Sequence, residues 1–136
     1  MARVLIADDE EAMRMLVARA IAMDGHNVAI AQDGAEALEI LNREGGAYEL
    51  LLTDIKMPVM DGIALALAAA RDFPNLTILL MTGFADQRER AHGLDAIIHD
   101  VITKPFSVAG IRAAVSAALG ARKDGLAQAA TNTGAA

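Results

Sequence analysis

Acidic, hydroxyl and amino side chains follow the apolar runs of this sequence, at the points where each run stops. They are Asp8 and Asp9 after RVLIA, Asp54 after LLLT, Thr82 after TILLM, and Lys104 after VIT. The carboxyl ends of parallel strands meet at one edge of a sheet, so we expect the five side chains to converge there. Carboxylates, a hydroxyl and an ammonium in one place can bind a divalent cation and a phosphoryl group.

Asp54 is the expected acceptor of a phosphoryl group. The stretch LLLTDIKMPVMDG runs from a buried strand straight into Asp54, and Pro58 and Gly62 then mark a loop. Asp54 should therefore lie at the carboxyl tip of a strand. It would face the crevice in which open α/β sheets bind ligands.

The charges around the acceptor predict a magnesium site. Asp8, Asp9 and Asp54 repel one another when they are held close together, which favours uptake of a proton or a cation. Mg²⁺ prefers oxygen ligands, keeps several waters and accepts a phosphate oxygen. Lys104 and Thr82 add a cation and a hydrogen-bond donor for the phosphoryl oxygens.

The elements that must position these residues alternate along the chain. Apolar runs of strand length are separated by stretches with the spacing of amphipathic helices, and the alternation occurs five times. It predicts an α/β fold with a five-stranded parallel sheet and helices on both faces. The spacing places Leu16 and Val17 on the inward face of the first helix, and Ala66 and Leu67 on that of the third. The last helix is expected to end near Leu119.

Composition limits the class of protein. A chain of 136 residues suits one domain with a sizeable core, and its net charge of −6 argues against binding to nucleic acid or an anionic membrane. No apolar run approaches a membrane span, no signal-peptide pattern is visible, and the lack of cysteine fits a reducing compartment. We therefore expect a cytoplasmic protein. Residues 1–120 should form the domain, and residues 121–136, which lack an apolar stripe, a flexible tail.

Four segments carry a resemblance to a known family. IADDE, LLLTDIKMPVMDG, LLMTGF and VITKPF occur in this order at the predicted strand ends. In this combination the chain resembles the receiver domain of two-component response regulators. The resemblance implies a flavodoxin-like receiver fold with the strand order 2-1-3-4-5. It also implies that a histidine kinase or a histidine phosphotransfer protein phosphorylates Asp54.

The resemblance also implies a set of metal ligands. Asp8 and Asp9 would hold Mg²⁺ together with Asp54, with Asp9 the expected direct ligand of the acid pair. The backbone carbonyl of Lys56, two residues beyond the acceptor, would be a further ligand.

On the other side of the site, the resemblance implies that Thr82 and Lys104 contact the phosphoryl oxygens. The Lys104–Pro105 peptide bond is expected to be cis. Receivers usually carry Tyr or Phe three residues before this lysine, and the ring moves inward as the threonine moves towards the phosphate. This chain has Val101 there, so the usual switch is altered, and Phe84 becomes the candidate aromatic reporter of the phosphorylation state.

Two longer stretches, MDGIALALAAARDFPNL and LLMTGFADQRERAHGLDAIIHDV, resemble CpdR-like single-domain regulators of alphaproteobacteria. This resemblance implies a stand-alone receiver whose output is protein contact, as an adaptor that controls ClpXP proteolysis in cell-cycle signalling. In that family the unphosphorylated form is the active adaptor. No DNA-binding or catalytic domain is expected after Leu119.

Two other functions are compatible with the same residues. A phosphorelay shuttle or phosphate sink would use the same site and need no output surface of its own. A phosphatase with a nucleophilic aspartate usually carries a second acid two residues later, where this chain has Lys56. We therefore expect no enzyme activity beyond the domain's own phosphorylation and dephosphorylation.

Overall fold

Five parallel strands form one sheet in the order β2-β1-β3-β4-β5, which confirms the predicted fold class and strand order. The computed structural model describes the backbone of residues 1–83 and 85–134, and the side chains of residues 1–83 and 88–125. The strands are β1 (Arg3–Ala7), β2 (Asn27–Ala31), β3 (Leu50–Asp54), β4 (Thr77–Thr82) and β5 (Asp100–Thr103). The helices are α1 (Glu11–Ala22), α2 (Gly34–Glu44), α3 (Gly62–Asp72), α4 (Ala85–His92) and α5 (Val108–Gly134).

The central strand, β3, has the sequence LLLTD, and all five of its residues are buried. A strand of a parallel sheet lacks polar alternation because helices cover both of its faces. Leu51 packs on the side of α2 and α3, whereas Leu50 and Leu52 pack on the side of α1 and α5. This two-sided packing fixes the strand that ends at Asp54.

Aspartate residues cap two helices that begin near the carboxyl edge of the sheet. Asp33 Oδ1 accepts a hydrogen bond from the Glu36 amide at 2.8 Å, and Asp61 Oδ1 accepts one from the Ala64 amide at 2.8 Å. These bonds satisfy amide groups that have no partner within the first helical turn. They fix the starts of α2 and α3, and with them the loop that follows Asp54.

The inward faces of α1 and α3 agree with the predicted ones in part, because Val17 and Ala66 are buried as expected. Leu16 and Leu67 are exposed, whereas Arg14 and Leu65 are buried. Both helices carry apolar residues around most of their circumference, so the spacing does not select one face. The consequence in α1 is that an arginine lies on the buried side, close to the end of β1.

The last helix continues past the predicted end near Leu119, because α5 extends to Gly134. The added segment contains Ala, Arg, Lys and Gln, which have high helix propensity. The backbone of this segment is helical up to Gly134, whereas the flexibility expected over residues 121–136 and the domain boundary at residue 120 stay predictions. Phe84, the candidate aromatic reporter, lies outside the described residues. Within the described part, none of the helices is both long and apolar enough to cross a membrane.

Candidate functional site

Strand register gathers the predicted residues at the carboxyl edge of the sheet. Asp54 ends β3 and pairs with Met81 of β4, and Thr82 ends β4 and pairs with Thr103 of β5. Lys104 follows directly, and its amide donates to the Thr82 carbonyl at 2.7 Å. These three side chains, from Asp54, Thr82 and Lys104, therefore lie at the tips of adjacent strands, as the sequence predicts.

Asp8 is fully buried and is held from several directions. Its amide donates to the carbonyl of Ala31 at 3.2 Å, and its Oδ1 accepts from the amide of Glu10 at 3.0 Å. Its Oδ2 accepts a hydrogen bond from Nζ of Lys104 at 3.1 Å. Asp9, by contrast, is exposed. The acid pair thus has one member fixed inside the protein and one that faces outward.

Lys104 connects two of the carboxylates. Its Nζ lies 3.1 Å from Oδ2 of Asp8 and 3.3 Å from Oδ1 of Asp54. The side chains of Lys104, Asp8 and Asp54 are 16 %, 0 % and 12 % exposed. Water screens charges little at such positions, so this attraction exceeds that of an ordinary surface ion pair.

The protein around Asp54 stabilises the protonated, neutral carboxyl group relative to the same group in water. Burial raises the pKa of Asp54 to about 6, with an opposing effect from Lys104 and a further increase from Asp8. Burial also disfavours the charge on Lys104, but attraction to Asp54 and Asp8 outweighs it, so the pKa of Lys104 is raised. At neutral pH Asp54 is therefore a mostly ionised and poorly solvated carboxylate, which suits a nucleophile.

Three carboxylates at this edge fit a magnesium ion. Asp8, Asp9 and Asp54 each offer an oxygen, and these oxygens all lie within 4.8 Å of one another. When all three acids are ionised, the single positive charge of Lys104 does not balance them, so the site has a net negative charge. Carboxylate oxygens are hard donors, which are the ligands that Mg²⁺ prefers. Lys56 lies in the loop after β3 with an exposed side chain, and the role of its carbonyl as a ligand stays a prediction.

The loop after Asp54 packs closely on the strand that it follows. The Gly62 amide donates to the Ile55 carbonyl at 2.8 Å, and a Cβ atom on Gly62 would lie 2.0 Å from the carbonyl oxygen of Asp54. No side chain fits into that space. The start of α3 therefore packs directly against the backbone of Asp54.

Arg14 contacts this site, and the sequence analysis missed it. It is 8 % exposed, and its Nη1 donates a hydrogen bond to the backbone carbonyl of Asp8 at 2.9 Å. A signal was present in the sequence, because Arg14 precedes Val17 and Ile21 at the spacing of one helical face. A charged residue on a buried stripe is unusual and indicates a specific partner.

Val101, the position at which the sequence predicts an altered switch, lies at the edge of the core. Val101 pairs with Leu80 in the sheet and packs, half-buried, against the apolar cluster on the α2 and α3 side. Its role in switching stays a prediction. The Lys104–Pro105 peptide bond is cis, as the family resemblance implies.

Comparison with known proteins agrees with this geometry. Residues 4–116 match the family described as the response regulator receiver domain. The chain belongs to this family. Response regulator MprA of Mycobacterium leprae is 34 % identical over 117 residues, which cover 86 % of this chain and 50 % of the relative. The chain thus spans about half the length of the curated relatives it matches.

Solved structures give the same result. The response regulator receiver domain protein (CheY-like) from Methanospirillum hungatei JF-1 has a TM-score of 0.82 at 27 % identity, over 91 % of this chain and 98 % of that one. NtrX from Brucella abortus has a TM-score of 0.83 at 27 % identity, over 97 % of this chain and 29 % of that one. Residues 4–116 therefore form a receiver domain of the kind found in phosphorylation-regulated response regulators. Receiver domains interact with histidine kinases or phosphotransfer proteins and typically bind Mg²⁺.

Proposed function

We propose that this receiver accepts a phosphoryl group on Asp54 from a phosphohistidine donor, and that phosphorylation changes its contacts with other proteins. The observation that carries the proposal is the 3.3 Å distance between Nζ of Lys104 and Oδ1 of Asp54, at a sheet edge where Thr82 also ends its strand. A buried carboxylate beside a fixed ammonium supplies both an acceptor and a partner for the incoming phosphoryl oxygens.

Transfer would use a carboxylate oxygen of Asp54 as the nucleophile. A P–O bond to Asp54 forms as the P–N bond of the phosphohistidine breaks, and the bonding electron pair leaves with the imidazole nitrogen. With a pKa of about 6, Asp54 is mostly in the required ionised form at neutral pH. Lys104 and Thr82 would exchange their present contacts within the protein for contacts with the phosphoryl oxygens. Mg²⁺ held by Asp8, Asp9 and Asp54 would offset the charge of the transferring group.

A change in protein contacts would involve α4. Arg90 pairs with Asp61 at 2.9 Å, and Arg88 donates a hydrogen bond to Thr103. Asp61 caps α3 at the end of the loop after Asp54, and Thr103 directly precedes Lys104. The two contacts therefore connect α4 to residues on both sides of the site. Phosphorylation adds about −1.5 to −2 charges at this edge. It shifts α4 only as far as the phosphoryl group interacts differently with its two arrangements.

The output that we propose is a cytoplasmic, CpdR-like adaptor that acts on its own and controls ClpXP proteolysis in its unphosphorylated form. The resemblance in residues 60–76 and 79–101 supports this proposal. The second stretch contains α4, whose sequence ADQRERAH is strongly polar and suits contact with another protein. Asp54→Ala should then bind ClpX under all conditions, whereas beryllofluoride should release the wild-type protein.

A phosphorelay shuttle or sink is the second candidate. Val101 favours it, because this position lacks the aromatic ring that receivers with an output surface usually move. The two candidates differ in partner binding: an adaptor discriminates between the phosphorylation states, and a sink has no partner that does so. Under either one, we propose no turnover of small phosphoesters by this domain.

The decisive experiment is labelling by acetyl phosphate with and without Mg²⁺. We expect wild-type protein to be labelled only with Mg²⁺, and Asp54→Asn to remain unlabelled. Asp72→Asn is the matched control, because Asp72 ends α3 and pairs with its neighbour Arg71, and it should be labelled like wild type. Wild-type protein that stays unlabelled by acetyl phosphate, phosphoramidate and phosphohistidine donors would overturn the proposal.

A further inference from the structure

Arg14 is a buried cation beside the acid pair, and none of the roles described so far uses it. We propose that Arg14 is a positioning residue for metal binding: by holding the backbone carbonyl of Asp8, it fixes the position of the Asp9 Cα atom, from which the Asp9 side chain extends. The inference rests on the proposed function, because it assumes that Asp8 and Asp9 bind Mg²⁺.

The geometry of the contact supports this role. Arg14 lies near the start of α1, and its Nη1 donates to the Asp8 carbonyl at 2.9 Å in a buried setting. Pairing of β1 with its neighbours ends at Ala7, so the Asp8 carbonyl lies just beyond the sheet. A hydrogen bond from a charged donor is roughly twice as strong as a neutral one. Arg14 thus takes the place of a strand neighbour at this carbonyl.

Fixing this carbonyl also fixes the next residue. The carbonyl of Asp8 belongs to the planar peptide unit that ends at the Cα atom of Asp9, so holding the carbonyl in place also holds that Cα atom in place. Asp8 has further restraints from Ala31, Glu10 and Lys104. Asp9 is exposed, so little packing restrains its side chain. The contact with Arg14 therefore matters most for Asp9.

Arginine is a poor choice here if the role is packing alone. Burying a guanidinium is unfavourable unless its donors are satisfied, and Nε of Arg14 has no hydrogen-bond partner among the side chains that the structure describes. Replacing buried ionic groups by apolar ones of similar volume is often neutral or stabilising. The neighbouring buried positions of α1, Val17 and Ile21, are apolar.

Simple charge repulsion gives the opposite expectation from positioning. A positive charge close to the backbone of the acid pair repels a metal ion bound there, so removing Arg14 would tighten Mg²⁺ binding if its charge were the only factor. If Arg14 positions the acid pair, removing it weakens Mg²⁺ binding even though a repelling charge is lost. The sign of the change in affinity therefore separates the two roles.

Isothermal titration of the full chain with MgCl₂ at neutral pH tests the inference. We expect Arg14→Met to bind Mg²⁺ about 10- to 100-fold more weakly than wild type, the range found when groups behind metal ligands are removed. Arg14→Lys, which keeps a cationic donor, should bind more tightly than Arg14→Met. The matched control is Arg19→Met, on the exposed side of the same helix, and should bind like wild type.

Thermal unfolding of each variant shows that it is folded before titration. Equal or tighter binding by a folded Arg14→Met would overturn the positioning role and leave the proposed function intact. If Arg14→Met does not fold, Arg14→Gln, which removes the charge and shortens the side chain, carries the test, and unchanged Mg²⁺ affinity in it would overturn the role. Failure of the wild-type protein to bind Mg²⁺ would instead count against the proposed function.

Discussion

The ammonium of Lys104 lies 3.3 Å from Oδ1 of Asp54. Asp54 ends β3 and Lys104 follows β5, and β4 lies between these two strands. Burial raises the pKa of Asp54 to about 6, and the nearby charge of Lys104 limits this increase. Lys104→Met should therefore raise the pKa of Asp54 above about 6, because the attraction that favours the carboxylate is gone. Carboxyl ¹³C chemical shifts, followed from pH 4 to 9 in EDTA, measure the change.

The control for this prediction is Lys104→Arg, which keeps a cation and should leave the titration of Asp54 closer to that of wild type. Phosphorylation by acetyl phosphate at pH 6 to 7 should fall in Lys104→Met, since less Asp54 is ionised there. An Asp54 titration that does not move in Lys104→Met would show that the ion pair is absent in solution.

The raised pKa of Asp54 also predicts how stability depends on pH. Without metal, the folded protein holds this proton up to about pH 6, whereas the ordinary value is 3.8. The contribution of Asp54 to stability is thus complete below about pH 3.8 and is lost as pH rises through about 6. Asp54→Asn removes this loss. It should raise the free energy of unfolding by about 1–3 kcal/mol at pH 7 in EDTA, with little effect at pH 4.

Urea unfolding at pH 4 and pH 7 measures that difference. Asp72→Asn is again the control, because its partner Arg71 holds the pKa of Asp72 below its ordinary value, and this carboxylate is exposed. Adding Mg²⁺ should stabilise wild type more than Asp54→Asn, since only wild type offers the third carboxylate. An equal effect of Asp54→Asn at both pH values would contradict the prediction.

The close packing around Gly62 leaves no room for a side chain in the loop after Asp54. Gly62→Ala would place a Cβ atom 2.0 Å from the backbone oxygen of Asp54, and a backbone atom cannot move aside as a flexible side chain can. We expect a loss of about 3 kcal/mol or more in the free energy of unfolding, with slower phosphorylation. Gly120→Ala in α5 should instead gain about 0.5–1 kcal/mol, because a Cβ atom there would meet no described atom within 4 Å apart from those of its own stretch of helix. Similar effects of the two substitutions would show that the loop does not pack as described.

Val59, in the same loop, has a strained backbone. Its φ angle is 68°, in the left-handed region, and its side chain is 85 % exposed, so little packing compensates for the strain. Val59→Gly should stabilise the protein by about 1 kcal/mol, since glycine adopts this conformation freely. Val28→Gly in β2, where the backbone is extended, should be destabilising. Urea unfolding of both variants tests the prediction, and a destabilising effect of Val59→Gly would contradict it.

The sequence predicted the sheet and the group at its edge because both depend on local patterns. Asp54 and Lys104 each follow directly after an apolar run of strand length. Their side chains are therefore expected at strand tips. The alternation of strands and helices then makes the strands parallel, and the tips meet. Neither step requires knowledge of distant contacts.

The faces of the helices could not be predicted in the same way. α1 and α3 are apolar around most of their circumference, so the neighbours in the folded protein decide that Leu16 and Leu67 are exposed. The ties of α4 to Asp61 and Thr103 depend on contacts between residues distant in the sequence. The extent of α5 beyond Leu119 follows from helix propensity where the apolar stripe is absent.

The ion pair between Arg90 and Asp61 predicts how firmly α4 is held. Both side chains are partly exposed, so the pair should contribute less than about 1 kcal/mol. α4 has eight residues, and a helix of that length depends on its contacts with the rest of the protein. Arg90→Gln should therefore speed amide exchange in α4 by up to about fivefold, with little change in global stability. Arg71→Gln, whose partner Asp72 is its neighbour in α3, should leave exchange in α4 unchanged, and equal exchange in both variants would show that Arg90 does not hold this helix.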